Sequence, residues 1–280
     1  MPFPALDAYL AQLSDPSRPR SSLWLNDHGQ LEGRFFNVAL TSAFQPVCQV
    51  GNGRLIGHEA VVRSVVPDNA GMSLWRLLDQ TASDDESVEL DRLCRMLHAI
   101  NFFRQPAAQD ADLLLSVHNR LLSAVSSNHG YAFRRILDAL ELPLGRVVLQ
   151  LPSVNLQQRW LLNYVMDNYR RNGFRMALNL DTPEQADELV GRIPLAAIKV
   201  DVQAIVDDDA LAKLLTVTHQ NGAQLIVKRV ETAAALAQLA RVAGALGLPI
   251  HAQGVLVHGH ESVLAGTGLA KVAPGASALR

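Results

Sequence analysis

From Leu113 onward the sequence repeats one unit, a short leucine-rich or β-branched run followed by an amphipathic helix. The runs are Leu113–Val117, Val147–Leu151, Met176–Leu180, Ala197–Val200, Leu225–Val230 and Ile250–Gln253. Helical spacing of apolar residues predicts helices over Tyr131–Leu140, Leu156–Asn172, Pro183–Ile193, Ala210–Asn221 and Ala233–Leu246. Several runs are apolar on both faces, the pattern of a parallel sheet covered by helices. So many strand–helix units in 280 residues predict a (β/α) barrel in preference to an open doubly wound sheet. Gly173 and Gly222 fall where two of the helices should stop, as C′ glycines do.

Ahead of this series lies FQPVCQVGNGRLIGHEAVVR, Phe44 to Arg63, which reads as two strands joined by a turn at Gly51, Asn52 and Gly53. Its second strand carries Glu59 in a largely apolar run. Burying that carboxylate unpaired would cost several kcal/mol, so Glu59 either faces solvent or has a partner. Further upstream, Leu6, Tyr9, Leu10 and Leu13 predict a short helix over Pro4–Leu13. A polar linker follows, then a hairpin turning at Asn26-Asp27-His28-Gly29. Leu74–Leu78 and a long helix from about Ser87 to Phe103 complete the first half. The Ala- and Gly-rich end is expected to fray.

Composition removes several function classes. Net charge is −2, so neither nucleic acid nor an acidic membrane surface is expected as a partner. No apolar run is long enough to span a membrane, and the N-terminus has no basic signal-peptide region. Cys48 and Cys94 form no spaced metal motif and read as reduced core thiols of a cytoplasmic protein.

Chemistry in a (β/α) barrel sits at the C-terminal strand ends. Those ends carry Glu59, Ser116 with His118, Gln150, Asn179 with Asp181, Lys199 with Asp201, Lys228 with Glu231, and Gln253. Polar residues at one apolar strand end after another predict a shared polar pocket. Its amides, hydroxyl and lysines are poor ligands for Mg²⁺ or Mn²⁺, which want clustered oxygen anions.

The order FQPV, GRLIGHEAVVR, IKVD, VET and QG, with ELDRLCR at Glu89–Arg95 and SVHNRLL at Ser116–Leu122, resembles the EAL-domain cyclic-di-GMP phosphodiesterases. The resemblance covers roughly Ala43 to Val257. It implies a modified (β/α)8 TIM barrel whose first strand is antiparallel to the others, in an α/β chain that also carries the N-terminal helix and hairpin. Three parts are expected: an extension over 1–33, an EAL-like barrel over 34–262 and a flexible tail over 263–280.

In that family two metals activate a water for hydrolysis of the dinucleotide. Carried onto this sequence, the resemblance leaves remnants at Glu59, Lys199, Glu231 and Gln253, while other family ligand positions hold Ser116, Gln150, Ser153, Asn179 and Leu180. Asp181 stands one residue past the paired-aspartate position and would face the other way. Lys228 takes the place of a family glutamate, and Arg229 that of a glycine. A lysine there repels a cation, by about 4 kcal/mol per unit charge at 4 Å and an effective dielectric near 20. The resemblance therefore implies a degenerate site, with no metal and no cofactor, in a chain that is not an enzyme. It would work as an adaptor or regulator through a protein partner in cyclic-di-GMP-linked signalling. The alternative is a metal-independent cyclic-di-GMP receptor, with Gln45, Val61, Arg63, Asp91 and Gln253 holding the ligand; an active phosphodiesterase ranks third. A homodimer is left open.

Overall fold

The computed structural model describes residues 3–15, 22–65, 83–108, 110–124, 130–153, 159–189, 193–257 and 259–264. The elements follow the sequence order: α1 (Pro4–Leu13), β1 (Leu23–Leu25), β2 (Leu31–Phe35), β3 (Val38–Gln49), β4 (Leu55–Ser64), α2 (Asp84–Phe103), β5 (Asp112–Ser116), α3 (Asn119–Ala124) and α4 (Tyr131–Ala139). They continue with β6 (Val147–Leu151), α5 (Arg159–Arg171), β7 (Arg175–Leu180), α6 (Gln185–Leu189), β8 (Ala197–Asp201), α7 (Asp208–Gln220), β9 (Gln224–Lys228), α8 (Ala233–Leu246) and β10 (Ile250–Ala252).

β3 to β10 close into a ring in which β3 pairs with both β4 and β10. β3 is antiparallel to each of them, and all other neighbours in the ring are parallel. Local chain chemistry explains the reversal. β3 and β4 are joined by a tight turn in which Gly51 (φ +95°) and Gly53 (φ +67°) take left-handed conformations. A connection that short permits only antiparallel pairing. The later strands are separated by helical crossovers and emerge parallel. The expected barrel with an antiparallel first strand is therefore present, and the N-terminal hairpin extends β3, with β1 on β2 and β2 on β3.

The long helix begins earlier than expected, at Asp84. Ser83 and Glu86 form a capping box there: Glu86 N–H donates to Ser83 Oγ at 3.3 Å, and Ser83 N–H to Glu86 Oε2 at 2.7 Å. Its inner stripe of Leu90, Cys94, Leu97 and Ile100 is buried against the ring. Gly173 (φ +82°) and Gly222 (φ +70°) do end α5 and α7 in the left-handed conformation. The short α3 over Asn119–Ala124 was not foreseen as a helix. The expected run Leu74–Leu78, the first residues of the Leu156–Asn172 helix and all but the start of the 263–280 tail lie outside the described residues.

Inside the ring, Val47, Leu114, Val148, Ala177, Ala197 and Ile226 pack as one apolar layer. The polar strand ends sit directly above it. Val148 and Gln150, Ala197 and Lys199 are i and i+2 on their strands, so each pair shares the interior face.

Candidate functional site

Glu59 is the centre of a closed hydrogen-bond cluster at the barrel mouth. Its Oε1 accepts from Ser116 Oγ at 3.1 Å and Gln150 Nε2 at 2.9 Å. Its Oε2 accepts from Lys199 Nζ at 2.9 Å and Gln253 Nε2 at 2.6 Å. The ammonium of Lys199 also donates to Gln150 Oε1 and, at 3.0 Å, to Gln253 Oε1. All the acceptor positions of the carboxylate and all the protons of the ammonium are thus engaged. Lys199, Gln150 and Gln253 are buried. Burial alone would raise the Glu59 carboxyl, but the adjacent Lys199 charge and the bonds from Lys199, Gln253 and Gln150 outweigh it and hold the pKa near 2.

Each member is placed by its strand register. Glu59 on β4 neighbours β5, Ser116 is registered with Gln150, and Lys199 with Asn179. Gln253 is set by a close approach. Val230 N–H donates to the Gln253 carbonyl at 3.0 Å. The next residue, Gly254, passes so near that a Cβ there would lie 2.3 Å from the Val230 oxygen. Only glycine fits that position.

A second tier of polar contacts rings this cluster. Lys228 Nζ donates to Asn179 Oδ1 at 3.1 Å, and Asn179 Nδ2 to the Leu151 carbonyl at 2.9 Å. Burial, then the neighbouring Lys199 charge, push the Lys228 pKa down. Leu180 points the other way and is buried in the outer core. Asp181 is exposed and accepts from Ser153 Oγ at 2.6 Å. Asp201 is ion-paired with Arg229 Nε and caps the following turn through Gln203 N–H. Arg229 itself adopts a left-handed backbone, φ +58°, at the position where the family resemblance put a glycine.

The site residues expected from sequence are spread over three environments. Glu59, Lys199 and Gln253 come together in the cluster; Gln45 is buried and registered directly opposite Glu59. Val61 and Arg63 continue up β4, half-buried and exposed respectively. Glu231 is exposed at the end of β9. Asp91 lies on α2 and is buried, with its carboxylate 2.7 Å from Arg95 Nε. Arg95 in turn reaches Tyr169 Oη at 3.3 Å and lies over the Phe133 ring. The lysine that pairs with Glu59 is Lys199, while Lys228 is held by Asn179. His260 was not singled out from sequence. It lies close enough to Glu59 and Arg63 to feel both charges, while burial pushes its imidazole pKa down.

A divalent metal pair needs several free anionic oxygens converging on one point. Around Glu59 the inward-facing neighbours are amides, a hydroxyl and ammonium groups, and Asp181 and Asp201 are turned to Ser153 and Arg229. Among the described residues no three His, Cys, Asp or Glu side chains group so as to hold an ion. This donor set does not fit a metal pair.

Comparison with known proteins gives the frame for this site. Residues 30–248 match a family model described as EAL domain. No curated protein matches the chain. Among solved structures, a PaMucR phosphodiesterase in complex with c-di-GMP is 15% identical, with a TM-score of 0.63 over 79% of this chain and 92% of that one. The FimX EAL domain of Pseudomonas aeruginosa bound to c-di-GMP is 18% identical, with a TM-score of 0.62 over 82% and 93%. An EAL enzyme, Bd1971, bound to cAMP and cyclic-di-GMP is 14% identical with a TM-score of 0.63; the matching region covers 79% of this chain and only 62% of that protein. No helix among the described residues is long and apolar enough to cross a membrane. The expectation that the chain is not an enzyme is corrected by these matches, because the chain matches the EAL-domain model and the similar structures include one described as a phosphodiesterase and one as an EAL enzyme. Substitutions at ligand positions do not remove a chain from its family. With a family model matched over most of its length and a closed barrel carrying the reversed strand, the chain belongs to the EAL-domain family.

Proposed function

We propose that this EAL domain is a regulator in cyclic-di-GMP-linked signalling whose barrel mouth receives the dinucleotide without a metal and passes the signal to a protein partner. The observation that carries the reading is the saturation of Glu59: four donors satisfy its carboxylate, so the mouth keeps its shape with protein groups alone. Above it the mouth carries Arg63, suited to a bidentate phosphate contact, with Lys228 and Arg229 as further cations. We assign Gln45, Val61 and Gln253 to the same ligand, whereas the Asp91 carboxylate is taken up by Arg95. The similar structures titled as c-di-GMP complexes support the same ligand. We assign partner contact to the extension over 1–33, dinucleotide reception to the barrel over 34–262, and no binding role to the tail over 263–280. The cytoplasm is the compartment where such a ligand and partner would meet.

Calorimetric titration with cyclic-di-GMP, with and without Mg²⁺, tests this, with the dinucleotide quantified afterwards. Binding that is indifferent to Mg²⁺ and at least ten-fold weaker in Arg63→Ala is expected. Absence of heat at high micromolar ligand would sink the receptor reading and leave an adaptor that acts by protein contact alone. Metal-dependent consumption of the dinucleotide would overturn the metal-free mouth.

A further inference from the structure

A second site lies at the opposite end of the barrel. The link from α2 to β5 and the turn before β6 both lie at the N-terminal strand ends, away from Glu59. Between them and α1 is a cavity of about 430 Å³ whose walls include Phe3, Leu6, Phe103, Arg104 and Arg146. That volume is in the range of small-molecule sites. The two phenylalanines meet edge to face at 5.8 Å and form an apolar wall.

The arginines make this more than a gap under α1. Arg104 Nε is buried and meets no acceptor among the described residues. A buried donor without an acceptor is costly, more so on a charged group. Burial pushes the Arg104 pKa down. Arg146 donates from Nε to the Ala111 carbonyl at 3.1 Å and also reaches that oxygen through Nη2. Its guanidinium lies 5.5 Å from the Phe103 ring centroid, which fixes a second cation at the cavity wall. Asp112 and Asp110 bear on Arg146 electrostatically. Asp7, the acid that lines the cavity, is exposed on α1, where water screens it.

From the two arginines in the cavity wall, Arg104 with no ion-pair partner among the described residues, and from the aromatic wall, we infer that this cavity binds a small organic anion, a carboxylate or phosphate ester carried on an apolar body. The anion pairs with the Arg104 guanidinium in the planar two-point geometry that this group favours. The body packs on Phe3 and Phe103. Because α1 forms one wall, occupancy also clamps α1 to the barrel.

Calorimetric titration of the full chain with 1-naphthoate, 1-naphthyl phosphate and neutral 1-naphthamide tests the inference. At least one anion should bind ten-fold or more tightly than the amide, and the stronger of the two identifies the anionic group. Arg104→Gln should lower anion affinity at least ten-fold and leave the amide unchanged. Arg104→Lys, which keeps the charge, should lose less, and Phe3→Ala should weaken all three ligands. Circular dichroism of each variant separates lost binding from lost fold. Equal binding of anions and amide, no binding, or unchanged anion affinity in a folded Arg104→Gln would overturn the assignment.

Discussion

Replacing Glu59 by glutamine tests the central claim about the mouth, that the carboxylate is a structural charge held by Lys199. Lys199 is only 1% exposed, and the Glu59 side chain 18%. Glutamine keeps the size and one carbonyl acceptor but leaves a buried ammonium without a counter-charge. Breaking a buried pair from one side costs about 3–5 kcal/mol. An independent route gives a similar figure. A carboxyl held near 2, against an ordinary 4.5, stabilises the fold by about 3 kcal/mol at neutral pH. The sign follows from the direction of the shift. The stabilisation is fully present above pH 4.5 and is lost as pH falls toward 2; at pH 3 about 1.4 kcal/mol remains. Urea unfolding at pH 7 and pH 3 should show Glu59→Gln less stable by about 3 kcal/mol at pH 7 and the gap narrowed by about 2 kcal/mol at pH 3. Glu59→Gln combined with Lys199→Met should recover part of the loss, since the uncompensated charge is then gone. A gap below about 1 kcal/mol at pH 7, or one that does not narrow in acid, would refute the reasoning.

Three further outcomes are expected. His98 is buried with Nδ1 2.8 Å from Ser42 Oγ, and burial holds its pKa near 3; the chain should lose stability as pH falls below about 6.5, by up to about 1.4 kcal/mol per pH unit, and an NMR titration should find this ring uncharged at pH 5. Arg95→Met should destabilise by about 3 kcal/mol or more in thermal or urea unfolding, because Asp91 is left buried and charged while the contacts to Tyr169 and Phe133 vanish. Gly254→Ala forces a Cβ to 2.3 Å from the Val230 oxygen and should cost more than about 2 kcal/mol, with cyclic-di-GMP binding weakened through displacement of Gln253.

Some of the site was legible from residue types alone. Polar residues at the ends of apolar runs placed Ser116, Gln150, Lys199 and Gln253 in one pocket with Glu59, because strand ends in a barrel converge. Which of them touch was not legible. Lys199 and Lys228 are equivalent as residues on neighbouring strands, yet Lys199 sits deeper and takes the carboxylate, while Lys228 is stopped by Asn179. That choice depends on depth along the barrel axis, which strand register sets. Asp91 likewise reads as one more polar residue of a helix motif; only packing of α2 shows its carboxylate closed off by Arg95. His260, which lies beyond the last strand, carries no periodic signal at all.

The repeating pattern of the chain carried the barrel, while its reversed first strand was what the family resemblance implied. Apolar runs alternating with helices demand parallel strands with covered faces, and two glycines in a tight turn allow only an antiparallel partner for β3. The sequence by itself also determined which residue types stand at the mouth. Tertiary structure decided which of those residues pair, and that Arg104 and Arg146 line one cavity under α1. Hydrogen bonding and Coulomb energy depend on separations of a few tenths of an ångström between groups far apart in the chain, and only the folded packing sets those separations.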